Sequence, residues 1–288
     1  MPNVNYNLFN NNMYVECKPF VKWAGGKSQL IGEITKYLPH KFNTYFEPFL
    51  GGGALFFHLQ PSKGIISDIN PELINLYKVV KLNVEELIED LKTHKHEENY
   101  YYKLRNVDRI DDYKNWSKIK RASRFIYLNK TCYNGLYRVN SKGYFNAPFG
   151  SYKNPKIVDE TNLRACSIVL KDTEIILSDF THIKKKIKNG DFVYFDPPYK
   201  PLNKTSSFTK YFKDDFDEKK QIVLKELCDF LTKQGVYFML SNSYTDMITE
   251  IYKNYNINIV LAKRAINSKG NSRGKIKEVL ITNYDIGK

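Results

Sequence analysis

Apolar positions in this chain follow two rhythms, and their alternation along the sequence predicts its architecture. Phe192-Val193-Tyr194-Phe195 is a continuous β-prone run that stops at Asp196-Pro197-Pro198-Tyr199. Such a run suits a strand buried on both faces of a parallel sheet. Two prolines cannot continue a ladder, so the chain must leave the sheet at Asp196. Thr44 to Phe57 reads as strand, glycine turn and apolar helix. Further strands are expected at Gly64 to Ser67, ending in Asp68, and at Glu174 to Ser178, ending in Asp179-Phe180. Val236 to Ser241 and Ile257 to Ala262 complete the set, with Glu278 to Thr282 antiparallel to the last of them. Between the strands the period becomes helical: Leu73, Leu76, Tyr77 and Val80 recur at i, i+3, i+4 and i+7, as do Val84, Leu87, Ile88 and Leu91. A helix is also expected from Gln29 to Tyr37. Another, from Glu218 to Gln234, applies Val223, Leu227 and Leu231 to the sheet and stops at Gly235. The pattern predicts an α/β fold. In open sheets of this kind, ligands bind beyond the carboxyl ends of the strands, where Asp196 would lie.

The composition changes from about His94 to Pro155, where basic and aromatic residues interleave in Tyr100-Tyr101-Tyr102-Lys103-Leu104-Arg105 and in Lys118 to Tyr127. That is the signature of an inserted helical module with one cationic face. In Asn129 to Gly150, Asn134-Gly135 and Lys142-Gly143 mark turns, the second between strands of a β-hairpin. The expected organisation is a floppy, Asn-rich tail at 1–17, a sheet domain formed by 18–93 and 156–288, and the inserted module at 94–155. A formal charge of +14 calls for a polyanionic partner, nucleic acid or an acidic membrane surface, and the 22 tyrosines supply rings that can stack on bases. No apolar stretch reaches the roughly 18 residues of a membrane span. Cys17, Cys132, Cys166 and Cys228 have no CxxC spacing and no histidine at ligand distance, so they read as reduced thiols of a cytosolic protein, and no metal is expected.

Three stretches have the chemistry of a ligand site. Gly26-Lys27-Ser28 invites comparison with a phosphate-binding loop, but the spacing GxxxxGK[ST] puts its first glycine at Val21, and the nucleotide-triphosphatase reading loses its support. A glycine turn remains, with Trp23 either lining a pocket or buried as core, and Lys27 either meeting a carboxylate or lying on the surface. The glycines at 51–53 allow close approach of backbone to a ligand, though without a strict GxGxxG. Asp68, at a strand end, can accept hydrogen bonds from a ribose diol or cap the helix that starts at Asn70-Pro71-Glu72; both hold if Asn70 does the capping. The polar stretch from Lys200 to Phe216 reads as a mobile lid. Asn267 to Lys275 reads as a flexible basic loop, either touching phosphate or plain surface.

With Lys22-Trp23-Ala24-Gly25-Gly26-Lys27, Phe46-Glu47-Pro48-Phe49-x-Gly51-Gly52-Gly53 and Asp196-Pro197-Pro198-Tyr199 in this order, the chain resembles the Dam-type DNA adenine-N6 methyltransferases, over about Lys18 to Tyr284. Thr131 to Gly150 also resembles that family's DNA-reading region. The resemblance implies a Rossmann-like methyltransferase sheet, mostly parallel with an antiparallel C-terminal strand, and an inserted, mainly helical DNA-recognition domain. It implies S-adenosylmethionine as cofactor and double-stranded DNA as partner, with the adenine of GATC as the usual target. By resemblance, Trp23 and Lys27 border the cofactor, Lys27 near its carboxylate. Phe49, Gly51 and Gly53 lie under its methionine and sugar, Asp68 holds the ribose hydroxyls, and Asp179 and Phe180 take the adenine ring. Arg138 corresponds to a guanine-reading arginine and Lys22 to a lysine used at the other guanine. Tyr133, Asn134 and Leu136 match residues that press into the duplex around the opened pair, and Pro148 meets a thymine methyl. Arg105, Asn140 and Asn146 match phosphate contacts. Ser151 departs from the pattern, since several relatives have arginine there before a residue like Tyr152.

The resemblance also implies a chemistry that the residues suit. An exocyclic adenine amine is a poor nucleophile because its lone pair is delocalised into the ring. A carboxylate and a carbonyl that accept its two N–H bonds favour sp3 character and aim the lone pair at the methyl. Asp196, which also borders the cofactor, and the carbonyl of Pro197 are expected in these roles, with Tyr199 stacking on a flipped base. No metal is required, and positioning carries much of the rate. The enzyme is expected to act as a cytoplasmic monomer, either alone or beside a restriction endonuclease with which it forms no stable complex. Asp-Pro-Pro-Tyr would equally suit cytosine N4 or an RNA amine, and a non-catalytic DNA-binding protein on the same fold is the rival from another class.

Overall fold

The computed structural model describes residues 14–199, 216–263 and 275–286. The expected lid and basic loop, except Phe216 and Lys275, lie outside the described residues, as does the tail up to residue 13. In chain order the strands are β1 (Tyr45–Glu47), β2 (Gly64–Asp68), β3 (Glu174–Leu177), β4 (Phe192–Phe195), β5 (Tyr237–Ser243), β6 (Asn256–Lys263) and β7 (Lys275–Thr282). The helices are α1 (Ile31–Ile34), α2 (Ala54–Leu59), α3 (Pro71–Leu82), α4 (Val84–Lys92), α5 (Glu98–Asn106), α6 (Lys118–Thr131), α7 (Glu160–Leu170), α8 (Glu218–Lys233) and α9 (Asp246–Ile251).

One mixed sheet runs in the order β3-β2-β1-β4-β5-β7-β6. Strands β1 to β5 are parallel, whereas β7 is antiparallel to both β5 and β6. The sequence placed β7 against β6; its insertion between β5 and β6 makes it an interior strand. Alternate residues divide between the two faces, as a period of two requires. Tyr45, Phe192, Tyr194, Met239 and Leu280 join the core shared with α2, α3, α4, α6 and α7. Phe46, Val193, Phe195, Phe238, Leu240, Val279 and Ile281 join the core under α8 and α9. Both faces are therefore covered, which is why β4 reads as an unbroken apolar run.

Two expectations about helices are corrected. The segment from Gln29 to Tyr37 is not one helix: a single α turn, α1, stands between 3₁₀ turns at Lys27–Gln29 and Thr35–Tyr37. Gly32 lies in the middle, and only Leu30, Ile34 and Thr35 are buried from Gln29 onward, so packing sustains little more than one turn. On α8 the buried stripe is Leu224, Leu227, Cys228 and Leu231, while Val223 is 39% exposed. The correct stripe follows the 3.6-residue period, in which 224 and 228 fall on the face of 227 and 231. Gly235, in the left-handed region, ends the helix as expected.

Residues 98–131 form α5, two short 3₁₀ segments and α6, of which α6 packs against α3 and α4. The hairpin beyond it is short. Isolated bridges join Val139 to Phe145 and Cys132 to Phe149, and Asn140 N donates to Tyr144 O at 2.9 Å. Side chains take over where the ladder stops, as the Asn140 and Asn146 contacts below show. No helix among the described residues is long and apolar enough to cross a membrane.

Candidate active site

The chain runs outward from β1 through β2 to β3, then returns to place β4 on the other side of β1. The strand order thus reverses between β1 and β4, and the crevice beyond their carboxyl ends is the place where such sheets bind ligands. Phe49 to Gly53 follows β1 into this crevice, and Asp196 to Tyr199 follows β4. Asp196 Oδ1 accepts from Ser241 Oγ on β5 at 2.9 Å and from Lys27 Nζ at 2.8 Å. The Lys27 ammonium also donates to Gly25 O at 2.8 Å and lies 4.5 Å from the centre of the Tyr199 ring. The carboxylate that Lys27 meets in this structure is thus that of Asp196. Tyr199 Oη donates to Glu278 Oε2 at 2.8 Å, and that oxygen is 4.0 Å from Lys27 Nζ. One nitrogen is thereby held between a carboxylate and an aromatic face, with a second carboxylate beside it.

Burial governs the electrostatics here. Desolvation pushes the Glu278 carboxyl above the usual range, although Lys27 opposes it, and also raises the Tyr199 phenol, which faces the charges of Asp196 and Glu278. Glu47, at the end of β1, is pushed up to about 8, chiefly by burial, with the Asp196 charge adding and the hydrogen bond from Tyr45 Oη at 2.6 Å opposing. Sequence reasoning missed Glu278 and Ser241 as site residues. The available signal was a glutamate opening the apolar run Val279-Leu280-Ile281 on a strand, because charged residues are seldom buried without a partner.

The β1 and β2 ends form the second half of the crevice. Asp68 Oδ2 accepts from Gly51 N at 3.0 Å and its Oδ1 from Asn70 N at 2.9 Å, while the Asn70 side chain caps α3 through Glu72 N and Leu73 N. Asn70 therefore does the capping, and the Asp68 carboxylate stays at the strand end, its pKa raised by burial. Gly51 and Gly53 are both left-handed, with φ of 49° and 64°. A Cβ on Gly51 would stand 2.6 Å from Trp23 Cδ1. Trp23 in turn stacks on Tyr137, with ring centres 5.4 Å apart, so it both borders the glycine turn and packs against the insert. Phe49 stacks on Phe180 at 5.1 Å, with Phe216 edge-on to Phe49 at 5.5 Å. Asp179, exposed next to Phe180, accepts from Thr181 N at 2.9 Å.

The residues expected at DNA gather on the insert and on the segment after Phe20. Buried Asn129 accepts from Lys22 N at 2.8 Å and donates to Lys22 O and Gly135 O at 2.9 and 3.0 Å, tying Lys22 to the Tyr133–Gly135 turn. The Lys22 ammonium lies 5.2 Å over the Tyr152 ring, and Ser151 beside it is exposed. Tyr133 is 56% exposed; Asn134 is exposed and left-handed, and Leu136 is half-buried. Tyr133 N donates to the carbonyl of exposed Pro148 at 2.9 Å. Arg105 stacks on Tyr102 and reaches Ala147 O at 3.4 Å. Arg138 Nε donates to Asn146 Oδ1 at 2.8 Å and its Nη2 to Asn146 O at 3.0 Å. Asn140 Oδ1 accepts from Lys142 N and Tyr144 N, both at 3.0 Å, closing the turn. Sequence reasoning also missed the ionic anchor of the hairpin: Asp108 pairs with buried Arg124 at 2.9 Å and accepts from Phe145 N at 2.8 Å.

The chain thus has an α/β sheet with a carboxylate and an aromatic ring at its switch point, a glycine turn with an acidic strand end beside it, and an insert rich in basic and aromatic residues. Residues 23–266 match the family model of the D12 class N6 adenine-specific DNA methyltransferases. The chain belongs to that family. It is 49% identical over 291 aligned positions to the type II methyltransferase M.MjaIII of Methanocaldococcus jannaschii, covering 94% of this chain and 100% of that protein. It is 46% identical to the type II methyltransferase M1.LlaDCHI of Lactococcus lactis subsp. cremoris, covering 96% and 99%. The DNA adenine methylase of Escherichia coli K12 is 33% identical, covering 91% and 94%. The protein is a DNA adenine-N6 methyltransferase, and its cofactor is S-adenosylmethionine. The chemistry of the crevice is compatible with that cofactor: a carboxylate stands at the end of β2, glycines make the turn beside it, and the aromatic rings of Phe49 and Phe180 lie next to them.

Proposed function

We propose that the chain methylates the adenine of GATC in duplex DNA, with Asp196, the Pro197 carbonyl and Tyr199 as the clamp for the target amine. The observation that carries this reading is the Lys27 ammonium, bonded to Asp196 Oδ1 at 2.8 Å and 4.5 Å from the Tyr199 ring centre. It supports the view that this corner is built to hold a nitrogen by its N–H bonds while an aromatic face lies beside it. An adenine amine there would give its two hydrogens to the carboxylate and the carbonyl, and Tyr199 would stack on the extruded base. Ser241 holds Asp196 in place. Asp68, Gly51, Gly53 and Phe49, with Trp23, Asp179 and Phe180, would hold the cofactor, which when bound supplies an electrophilic methyl. Positioning of amine and methyl then carries much of the rate, and the amine loses its proton only as or after the methyl arrives.

The basic insert, from 94 to 155, is the recognition domain in this reading. Arg138 and Lys22 read the guanines; Tyr133, Asn134 and Leu136 enter the opened pair; Pro148 meets the thymine methyl; Arg105, Asn140 and Asn146 hold the backbone. The monomeric enzyme would work in the cytoplasm, in a restriction-modification pairing that needs no stable complex with the nuclease, as the naming of two relatives as type II methyltransferases supports. Replacing Asp196 with Ala is expected to lower methyl transfer by about 10²- to 10³-fold, the scale of losing an aimed group at a reacting centre. Cofactor binding, followed by calorimetry, should stay detectable. Substantial surviving transfer would sink the assignment.

A further inference from the structure

Glu278 stands at the clamp without a part in the amine chemistry above. Because β7 runs antiparallel to β5, with Glu278 opposite Ser243, its early residues meet the carboxyl edge of the sheet where Asp196 leaves β4. Val279, Leu280 and Ile281 after it are fully buried, and Glu278 itself is only 8% exposed. A carboxylate in such a place is costly unless it has a partner. Two groups face the same oxygen, Tyr199 Oη at 2.8 Å and Lys27 Nζ at 4.0 Å. Lys27 is 5% exposed, so its ammonium needs a counter-charge wherever it moves. An adenine amine entering the clamp competes with Lys27 for Asp196, and Glu278 is the carboxylate already within reach of the displaced ammonium.

We propose that Glu278 is a positioning residue for methyl transfer: it fixes the hydroxyl end of Tyr199 and receives the Lys27 ammonium when the target amine takes Asp196. The proposal rests on the reading of Asp196 and Tyr199 as the amine clamp. Glu278 thereby keeps the stacking ring in one orientation and lets the lysine yield without leaving a buried charge unpaired.

The test compares Glu278→Gln, Glu278→Asp, Tyr199→Phe and Asp196→Asn in the full chain, with S-adenosylmethionine and a GATC duplex. It reads kcat, KM for DNA, cofactor affinity and the fluorescence of 2-aminopurine placed at the target adenine. For Glu278→Gln, kcat should fall about 10- to 100-fold, the cost of misplacing reacting groups by an ångström or less. Its 2-aminopurine signal should be weaker, while cofactor affinity stays within about 3-fold of the parent, a split expected when only interactions at the reacting centre are lost. Glu278→Asp, which retains the charge, should recover part of the loss, and Tyr199→Phe should show the smaller loss of the hydroxyl anchor alone. A Glu278→Gln enzyme with unchanged kcat overturns the proposal, as does one whose only defect is cofactor affinity, which would send Lys27 to the cofactor carboxylate. If Glu278→Gln does not fold, unchanged kcat in both Glu278→Asp and Tyr199→Phe overturns it. An active Asp196→Asn enzyme would sink the clamp reading itself, whereas an inactive one beside an unaffected Glu278→Gln would sink only this proposal.

Discussion

Arg138 presents its guanidinium through Asn146, which takes the Nε and Nη2 side of the fork with its side-chain and backbone oxygens. The end-on edge, Nη1 with Nη2, is then the one that a guanine O6 and N7 would accept from. Replacing Arg138 with Ala should relax choice at one guanine by about 1–3 kcal/mol. Asn146→Ala should relax the same choice more weakly, by loosening the fork. The check is kcat/KM on GATC duplexes against duplexes with that guanine replaced; equal losses on all sequences would make both residues phosphate contacts. Arg138 was legible as a candidate because its neighbours match a known recognition segment. Its hold on Asn146 was not, because a hydrogen bond across a short hairpin depends on register, which the residue types alone leave open.

The turn between β1 and α2 shows how an element builds the site. Its left-handed glycines let Gly51 N reach Asp68 and let Trp23 lie against the backbone. Gly51→Ala would strain the backbone and drive a methyl group into the indole. The expected result is a cofactor affinity lower by about tenfold or more, read as a smaller rise in melting temperature on adding S-adenosylmethionine. An unchanged rise would show that the turn does not shape the cofactor site. Strands were the legible part of the fold: β4 matches its apolar run residue for residue, from Phe192 to Phe195. Short helices were less legible. The stretch after Lys27 has apolar spacing enough for a helix, but its partners sustain only one α turn. On α8, Val223 and Leu224 are adjacent and both apolar, so the buried one is decided by a rotation that the sheet fixes.

Across the whole molecule, the sheet and the insert are joined by contacts between residues distant in sequence. Arg121 pairs with Glu72, and the Tyr113 hydroxyl donates to the same glutamate at 3.1 Å. Trp23, Tyr137 and Phe125 form a three-ring stack, with the second pair at 4.7 Å, that runs from the glycine turn to the hairpin beside Arg138. The glycine turn and the insert thus meet through side chains. None of this joinery was legible, because each partner looks like ordinary core or surface on its own. The same applies to Glu278, whose role comes from the antiparallel β7 bringing it back to the end of β4. The charge of +14 draws any DNA to the protein, whereas in the proposed reading the Asp196 corner acts on one base of it. The most direct measurement of adenine-N6 methylation at GATC is nucleoside mass spectrometry of a GATC duplex incubated with the enzyme and isotope-labelled S-adenosylmethionine. The label is expected in N6-methyladenine alone, at the GATC adenine; label on cytosine N4, or none on DNA at all, would contradict adenine-N6 methylation at GATC.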